Sequence, residues 1–510
     1  MAKIMNFKKY KSLPPSEKQN EAYYIIGLDI GNDSSAIAFY NLAEGEAETI
    51  DLSGGYGKPS IPTVMQYVPE TKEWVFGEYA VMNRGVGVTF SSLLRRMGQF
   101  DYLDVGGRSV SLAGVFALFL KEILSNVKNI NPKAEIVGIV ASIPAYFSSD
   151  AREEFTRVFK LAGYEKELIG LVPDRECVLA HYYRAVPEKP ETAMIIDLGN
   201  RELRGGLYNV AEANGGISAV CASSVFDSEI SMAALNADAL QLFASFVPDL
   251  PQNLQEQLAA FAHQHKDLLF QKNIRTKPQK LYFNFMYPPV AHTISHERVE
   301  ELVAPYAARF DKFLRDVLEK NLSDKAVAAS NVDAILCVGG GFDMLWAKEA
   351  VTAVFPKERV HFYKNPKVIT AEGAALIAAR EVELVGAPLS LEDKHQLTSD
   401  IGLASGENFL TLVPRNGFWW QQHAPKLILV NSPVEGNLDL HVALQSPGGE
   451  SREISKISLN DLPARPKGVT RLEIAPIFRS NAELAIKIAD KGFGDLFPKA
   501  DYEREFLVKI

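Results

Sequence analysis

The sequence predicts a large α/β domain built from two similar halves, followed by an antiparallel all-β domain. Two buried-strand candidates end on the same signature, Asp29-Ile30-Gly31 after YYIIGL and Asp197-Leu198-Gly199 after AMII. A third, AILCVGGG at 334–341, runs into three glycines and then a helical pattern. From residue 400 onward, short runs alternate apolar and polar residues at period two, the mark of half-buried antiparallel strands.

The chain has 510 residues, room for roughly three units of ~150 residues. Its 47% hydrophobic and 23% charged content belongs to a folded globular protein. A net charge of −9 argues against a nucleic-acid partner. The basic start, MAKIMNFKKYKSLPPSEKQNE, lacks an apolar segment, so it is no secretory signal, and residues 1–21 read as a flexible arm. No run approaches the ~18 apolar residues that span a bilayer, so no membrane partner is expected. Cys177, Cys221 and Cys337 are far apart and lack metal-ligand spacing. They read as buried small hydrophobes in a reducing compartment, which points to the cytoplasm.

Taken in order, YYIIGLDI (23–30) is a buried strand, and GLDIGNDSSAIAF (27–39) has the shape of a strand–turn–strand hairpin. Successive backbone N–H groups in such a turn, at Gly31, Asn32 and Asp33, can point at an anion. Asp29 at the strand end can hold Mg²⁺ through water. Residues 112–127 place Leu112, Val115, Phe116, Phe119, Leu120, Ile123, Leu124 and Val127 on one helical face, which predicts core packing. EIVGIVASI (135–143) is the next strand, and a helix from Ser149 or Asp150 stops at Gly163. Residues 228–275 read as helical and contain Lys272 and Arg275, which face either a ligand or water. KLYFNFMY (280–287) reads as a strand closed by Pro288-Pro289, Val299–Leu322 as a long amphipathic helix, and 371–380 as an Ala-rich helix. These elements predict a domain over 22–385, a polar linker over 386–398 and a β domain over 399–510.

Several motifs in this order resemble the Hsp70 (DnaK-type) chaperone family over nearly the whole span from 22 to 510. GLDIGNDSS resembles its first phosphate loop, GIVASIPAYFSSDAR (138–152) its Val-Pro-Ala-Tyr-Phe segment, and IIDLGNRELRGG its second phosphate loop. ILCVGGGFDMLWAKEAV (335–351) resembles the adenosine loop and helix, and KNPKVITAEGAALIAA (364–379) the segment that trails it. FLTLVPRN (409–416) and PARPKGVTRLEI (463–474) resemble parts of its β-sandwich substrate domain. The resemblance implies a duplicated actin-like nucleotide-binding domain followed by an all-β sandwich. It further implies ATP or ADP with Mg²⁺, an unfolded or extended polypeptide as partner, and possible co-chaperones. By the same resemblance, Asp29, Asp174 and Asp197 are the metal-side carboxylates, with Asp29 and Asp197 holding Mg²⁺ through water. Nucleotide contacts fall on Gly31, Asn32, Asp33, Gly199, Asn200, Arg201, Gly339, Gly340, Gly341, Asp343 and Lys367. Phe418, Trp419 and Trp420 are candidate anchors for an extended peptide.

The departures from the family bear on activity. Its catalytic lysine falls on Leu94, which cannot offer positive charge to a transferring phosphoryl group. Its Gly-Gly-Thr-x-Asp in the second loop becomes Asn200, Arg201, Glu202, Leu203 and Arg204. Its adenine-stacking arginine is Asp343 and its trailing aspartate is Lys367, a charge swap across the pocket. The linker is polar, and no helical lid follows the β domain. The expected function is therefore a chaperone relative that binds nucleotide with weak or absent hydrolysis. The alternative is a pseudo-ATPase scaffold in which Arg201, Glu202 and Arg204 form an internal ion-pair network in place of ligand. A small-molecule kinase is disfavoured by the β domain and by the absence of a recognisable base for a substrate hydroxyl. Because several positions are altered together, Leu94→Lys alone should not restore turnover. A phosphate-release assay checks this, and clear hydrolysis in that single variant would refute it.

Overall fold

The computed structural model describes residues 12, 22–41, 44–52, 57–82, 87–144, 147, 149–185, 191–213, 216–227, 229–269, 277–319, 327–381, 389–391, 399–406, 408–414, 423–445, 451–480 and 483–510. The remainder of the expected arm, Lys272, Arg275, Phe418, Trp419 and Trp420 lie outside them.

The first half begins with β1 (Tyr23–Ile30), β2 (Ser34–Asn41), β3 (Glu46–Thr49) and β4 (Ser60–Pro62). A small sheet follows, of β5 (Val64–Val68), β6 (Glu73–Phe76) and β7 (Val88–Ser91), with helix α1 (Gly77–Met82) between β6 and β7. The hairpin β8 (Tyr102–Asp104) and β9 (Ser109–Ser111) leads into α2 (Leu112–Ile130). The Ser111 hydroxyl caps α2 by accepting from the Gly114 N–H, and every apolar position predicted on its inner face is buried. Then come β10 (Glu135–Ile143), α3 (Ser149–Ala162) and β11 (Leu168–Pro173). The main sheet has the order β11-β10-β1-β2-β3, with β4 beside β2. β1 pairs parallel to β10 and antiparallel to β2.

The second half opens with α4 (Asp174–Ala185), β12 (Glu191–Leu198), β13 (Leu203–Ala213) and β14 (Gly216–Asp227). The helical text expected over 228–275 is two helices, α5 (Met232–Ser245) and α6 (Gln255–Leu269). Pro248 and Pro251 separate them, since proline removes a helical donor and restricts the residue before it. The strand expected over 280–287 ends at Phe283. It is β15 (Gln279–Phe283), hairpinned to β16 (Val290–Ile294), with Pro288-Pro289 in the connection. Next are α7 (His296–Glu319), β17 (Ala334–Val338), α8 (Leu345–Val354), β18 (Val360–Phe362) and α9 (Ile369–Glu381). The sheet order is β18-β17-β12-β13-β14, and a further strand, β19 (Leu389–Leu391), lies parallel on β14. Three residues expected in the linker thus extend a sheet, because Leu-Ser-Leu offers a short alternating strand to the open edge of β14.

The two main sheets share one pattern. A central strand (β1 or β12) has two parallel neighbours on one side and an antiparallel pair on the other. The Ala-rich α9, with Gly373 in its second turn, packs on β1 and on α4 at backbone distance. A Cβ on Gly27 would stand 2.1 Å from the Ala371 carbonyl oxygen, and one on Gly373 would stand 1.8 Å from that of Cys177. Only glycine permits such contact, so α9 fixes α4 against the floor of the first half.

The C-terminal unit has strands β20 (Asp400–Ser405), β21 (Asn408–Val413), β22 (Lys426–Val430), β23 (Leu438–Gln445), β24 (Ser451–Leu459), β25 (Thr470–Ser480), β26 (Glu483–Asp490) and β27 (Glu503–Lys509). They form two antiparallel sheets, β21-β20-β23-β24 and β22-β25-β26-β27. Ile401, Val413 and Val442 from one sheet share a core with Leu472, Ile486 and Val508 from the other. A buried bidentate pair, Arg465 to Asp490 at 2.8 Å for both bonds, ties a loop to β26. Among the described residues no helix is long and apolar enough to cross a membrane.

Candidate functional site

The two Asp-x-Gly turns open onto one cleft of about 870 Å³, lined from both halves. Each turn follows the central strand of its sheet, and each is closed in the same way. The Gly31 N–H donates to the Ser34 carbonyl and the Gly199 N–H to the Glu202 carbonyl, both at 3.1 Å. The following strand brings Ala36 opposite Asp29 in one half and Arg204 opposite Asp197 in the other. The same cross-strand position therefore holds a methyl group in the first half and a guanidinium in the second.

Arg204 organises the centre of the cleft. Its Nη1 donates to Asp174 Oδ2 at 2.8 Å, and its Nε donates to Glu202 Oε1 at 2.7 Å. Arg95 Nη2 donates to the other Glu202 oxygen at 2.6 Å. The chain Asp174–Arg204–Glu202–Arg95 joins the first residue of α4, strand β13 and the short 3₁₀ turn Leu94–Arg96 of the first half. The network expected of Arg201, Glu202 and Arg204 is thus corrected in one member. Arg201 sits exposed at the tip of its turn and donates to the Ser92 hydroxyl at 2.5 Å. Arg95 takes its place.

The carboxylates feel this arrangement differently. Burial pushes Asp29 up to about 7; a hydrogen bond from the Ser142 hydroxyl works against it, while Asp174 and Asp197 add to it. Burial likewise pushes Asp197 up to about 6 against the pull of Arg204. Burial raises Glu202 too, but Arg204 and Arg95 outweigh it and hold this carboxyl below its usual range.

At the other end of the cleft, Gly339 follows β17 with φ +86°, and a Cβ there would lie 2.4 Å from Asp197 Oδ1. Glycine alone fits both demands. Gly340 lies under the stem of Lys367, whose Cε would be 2.5 Å from a Cβ at that position. Gly341 is buried against Leu198, so of the three glycines it is Gly339 and Gly340 that line the cleft. Asp343 and Lys367 line it as well. The structure therefore brings Asp29, Asp174, Asp197, Gly31, Asn32, Asp33, Gly199, Asn200, Arg201, Gly339, Gly340, Asp343 and Lys367 around one space, with Leu94 in its wall.

Sequence reasoning missed Arg95, Ser142 and Asn236. Arg95 adjoins Leu94 in an Arg-Arg pair, a visible signal. Ser142 is reached only by knowing that β10 pairs with β1 in a register opposing Ser142 to Asp29. Asn236 on α5 carries no local signal. The side-chain oxygens of Asn32 and Asn236 and the Nε of Arg95 are buried, belong to residues that line this cleft and have no hydrogen-bond partner among the described residues. Buried polar atoms are nearly always paired, so three unpaired ones around one cleft favour a polar ligand there.

A Mg²⁺ ion held through water by Asp29 and Asp197 fits these residues poorly. Asp174, the third carboxylate, is taken by a cation that does not deprotonate. Asp29 accepts from Ser142, and its raised pKa favours a proton. Among the described residues no group of three or more His, Cys, Asp or Glu side chains is placed to hold a metal ion.

Two family models match parts of the chain. One, described as "Family of unknown function (DUF5716) C-terminal", matches residues 46–196. The other, described as "Domain of unknown function (DUF8552)", matches residues 404–510, nearly the whole two-sheet β unit.

The buried acids set a pH dependence. An acid whose folded-state pKa lies above its unfolded value stabilises the fold at low pH and loses that contribution as pH rises through the folded value. Asp29 at about 7 and Asp197 at about 6 therefore lower stability as pH rises from the unfolded value of about 4 to the folded values, with no further loss above about pH 7. Asp29→Asn should flatten that slope. It should stabilise the protein at pH 8 by about 1–3 kcal/mol, discounted for partial solvent contact, and leave pH 4 nearly unchanged. Urea unfolding at both pH values checks this, and a steeper slope in the variant would contradict it.

Proposed function

We propose that the chain is a divergent Hsp70-like protein whose cleft binds an adenine nucleotide with slow or absent hydrolysis. Its β domain engages unfolded or extended polypeptide, and its compartment is the cytoplasm. The observation that carries the nucleotide reading is the pair of equivalent Asp-x-Gly turns. They come from sheets of matching strand pattern and open on one cleft with unpaired Asn32 and Asn236 oxygens. This matching also supports a duplicated, actin-like architecture. The turn residues with Arg201 and Arg204 suit a phosphate chain, and the Gly339–Gly340 surface beside Asp343 and Lys367 suits a nucleoside.

Slow hydrolysis follows from the same groups. Glu202, in the second loop beside the phosphate end, is held by two arginines, and a carboxylate with a lowered pKa is a weak general base. Leu94 is buried in the apolar core of the first half and brings no charge. Arg95 supplies charge nearby but spends part of it on Glu202.

A second reading has its own support. The ion chain from Arg95 through Glu202 and Arg204 to Asp174 crosses between the halves. Such a bridge suits a scaffold that holds its two halves together without ligand. Calorimetric titration with ATP and with ADP in Mg²⁺ buffer separates the two. Saturable micromolar binding, with phosphate release near background, is the expected result. Silence with both nucleotides on folded protein would overturn the nucleotide reading in favour of the scaffold.

A further inference from the structure

We infer that Arg204 is the resident cation of the cleft, and that a nucleoside polyphosphate binds there as the metal-free anion. This rests on the nucleotide reading above and adds how the charge of the ligand is met.

Arg204 stands where a divalent ion would be useful, between carboxylates. It bonds Asp174 at 2.8 Å and Glu202 at 2.7 Å, opposes Asp197 across the β12–β13 ladder and lines the cleft. Around it arginines and carboxylates alternate. Arg95, Arg175 and Arg204 face Asp174, Asp197 and Glu202, with Arg175 lining the small cavity that Asp174, Asp197 and Arg204 share. A guanidinium keeps its proton at any working pH. A divalent ion entering here would have to displace it or sit against it, at close range in a poorly solvated space. Mg²⁺ also needs a near-octahedral set of oxygens and sheds water reluctantly, and Asp174 Oδ2, both Glu202 oxygens and Asp29 Oδ1 are already accepting hydrogen bonds from Arg204, Arg95 and Ser142.

The cleft also has charge to offer a polyphosphate. Arg201 and Lys367 line it, and among the described residues neither has a carboxylate within ion-pair distance. Together with Arg204 they provide cationic donors near both Asp-x-Gly turns and the Gly339–Gly340 surface, so phosphate charge is met without a metal bridge.

The test is ATP titration of the wild-type protein in excess EDTA and again in excess Mg²⁺. Dissociation constants within about threefold of each other are expected. Binding more than about tenfold tighter in Mg²⁺ would overturn the inference and leave the nucleotide reading standing. Absence of binding in both buffers would overturn both. The variant Arg204→Ala sharpens the result. It should lose at least about tenfold in affinity in EDTA and regain affinity in Mg²⁺, because Asp174 and Asp197 then lack the Arg204 guanidinium and Glu202 keeps only Arg95. Unchanged, metal-independent binding in Arg204→Ala would also overturn the inference. The wild-type comparison stands on its own should that variant fold poorly.

Discussion

The Arg204 guanidinium bonds Asp174 and Glu202 and lies opposite Asp197, so that acids from α4, β12 and the turn before β13 gather in a poorly solvated space. Gathering carboxylates without a cation is costly, and such groups take up protons instead. Asp29 shows what happens farther from Arg204: its cross-strand neighbour is Ala36, and it is the more strongly raised of the two strand-end aspartates. One residue thus makes two otherwise equivalent turns chemically different. The first keeps an acid of raised pKa bonded by Ser142, and the second keeps its acids beside their own counter-charge.

That arrangement depends on backbone contacts made elsewhere. Asp174 starts α4, and α4 is held by α9 through Gly373, which meets the Cys177 carbonyl at a distance no side chain tolerates. The other face of α9 meets β1 through Gly27, two residues before Asp29. The floor of the cleft and two of its acids are therefore tied to one helix. Gly339 completes the set, because its left-handed conformation lets the chain pass close against Asp197.

The Asp-x-Gly turns, the Gly triplet, the amphipathic α2 and the alternating strands of the β unit were legible because their signals are local. Contacts set by strand pairing were not. Arg204 and Arg201 read alike in sequence, yet the ladder turns Arg204 inward beside Asp197 and leaves Arg201 at the turn tip. Arg95 stands one residue past Leu94, where the resemblance asks for a lysine, and the Arg95-Arg96 pair does not itself say which guanidinium turns toward Glu202. Leu389–Leu391 read as linker because three residues are too few to signal a strand without knowledge of the open edge on β14. The break between α5 and α6 was visible in Pro248 and Pro251, and Ala- and Leu-rich flanks obscured it.

The claim that Arg204 takes the part of a metal ion is tested most directly on nucleotide-free protein. Manganese titration followed by electron paramagnetic resonance counts bound Mn²⁺ without reference to turnover. The account predicts no site of micromolar affinity in the wild-type protein and the appearance of one in Arg204→Ala. A stoichiometric micromolar Mn²⁺ site in the wild type, abolished by Asp197→Asn, would contradict it.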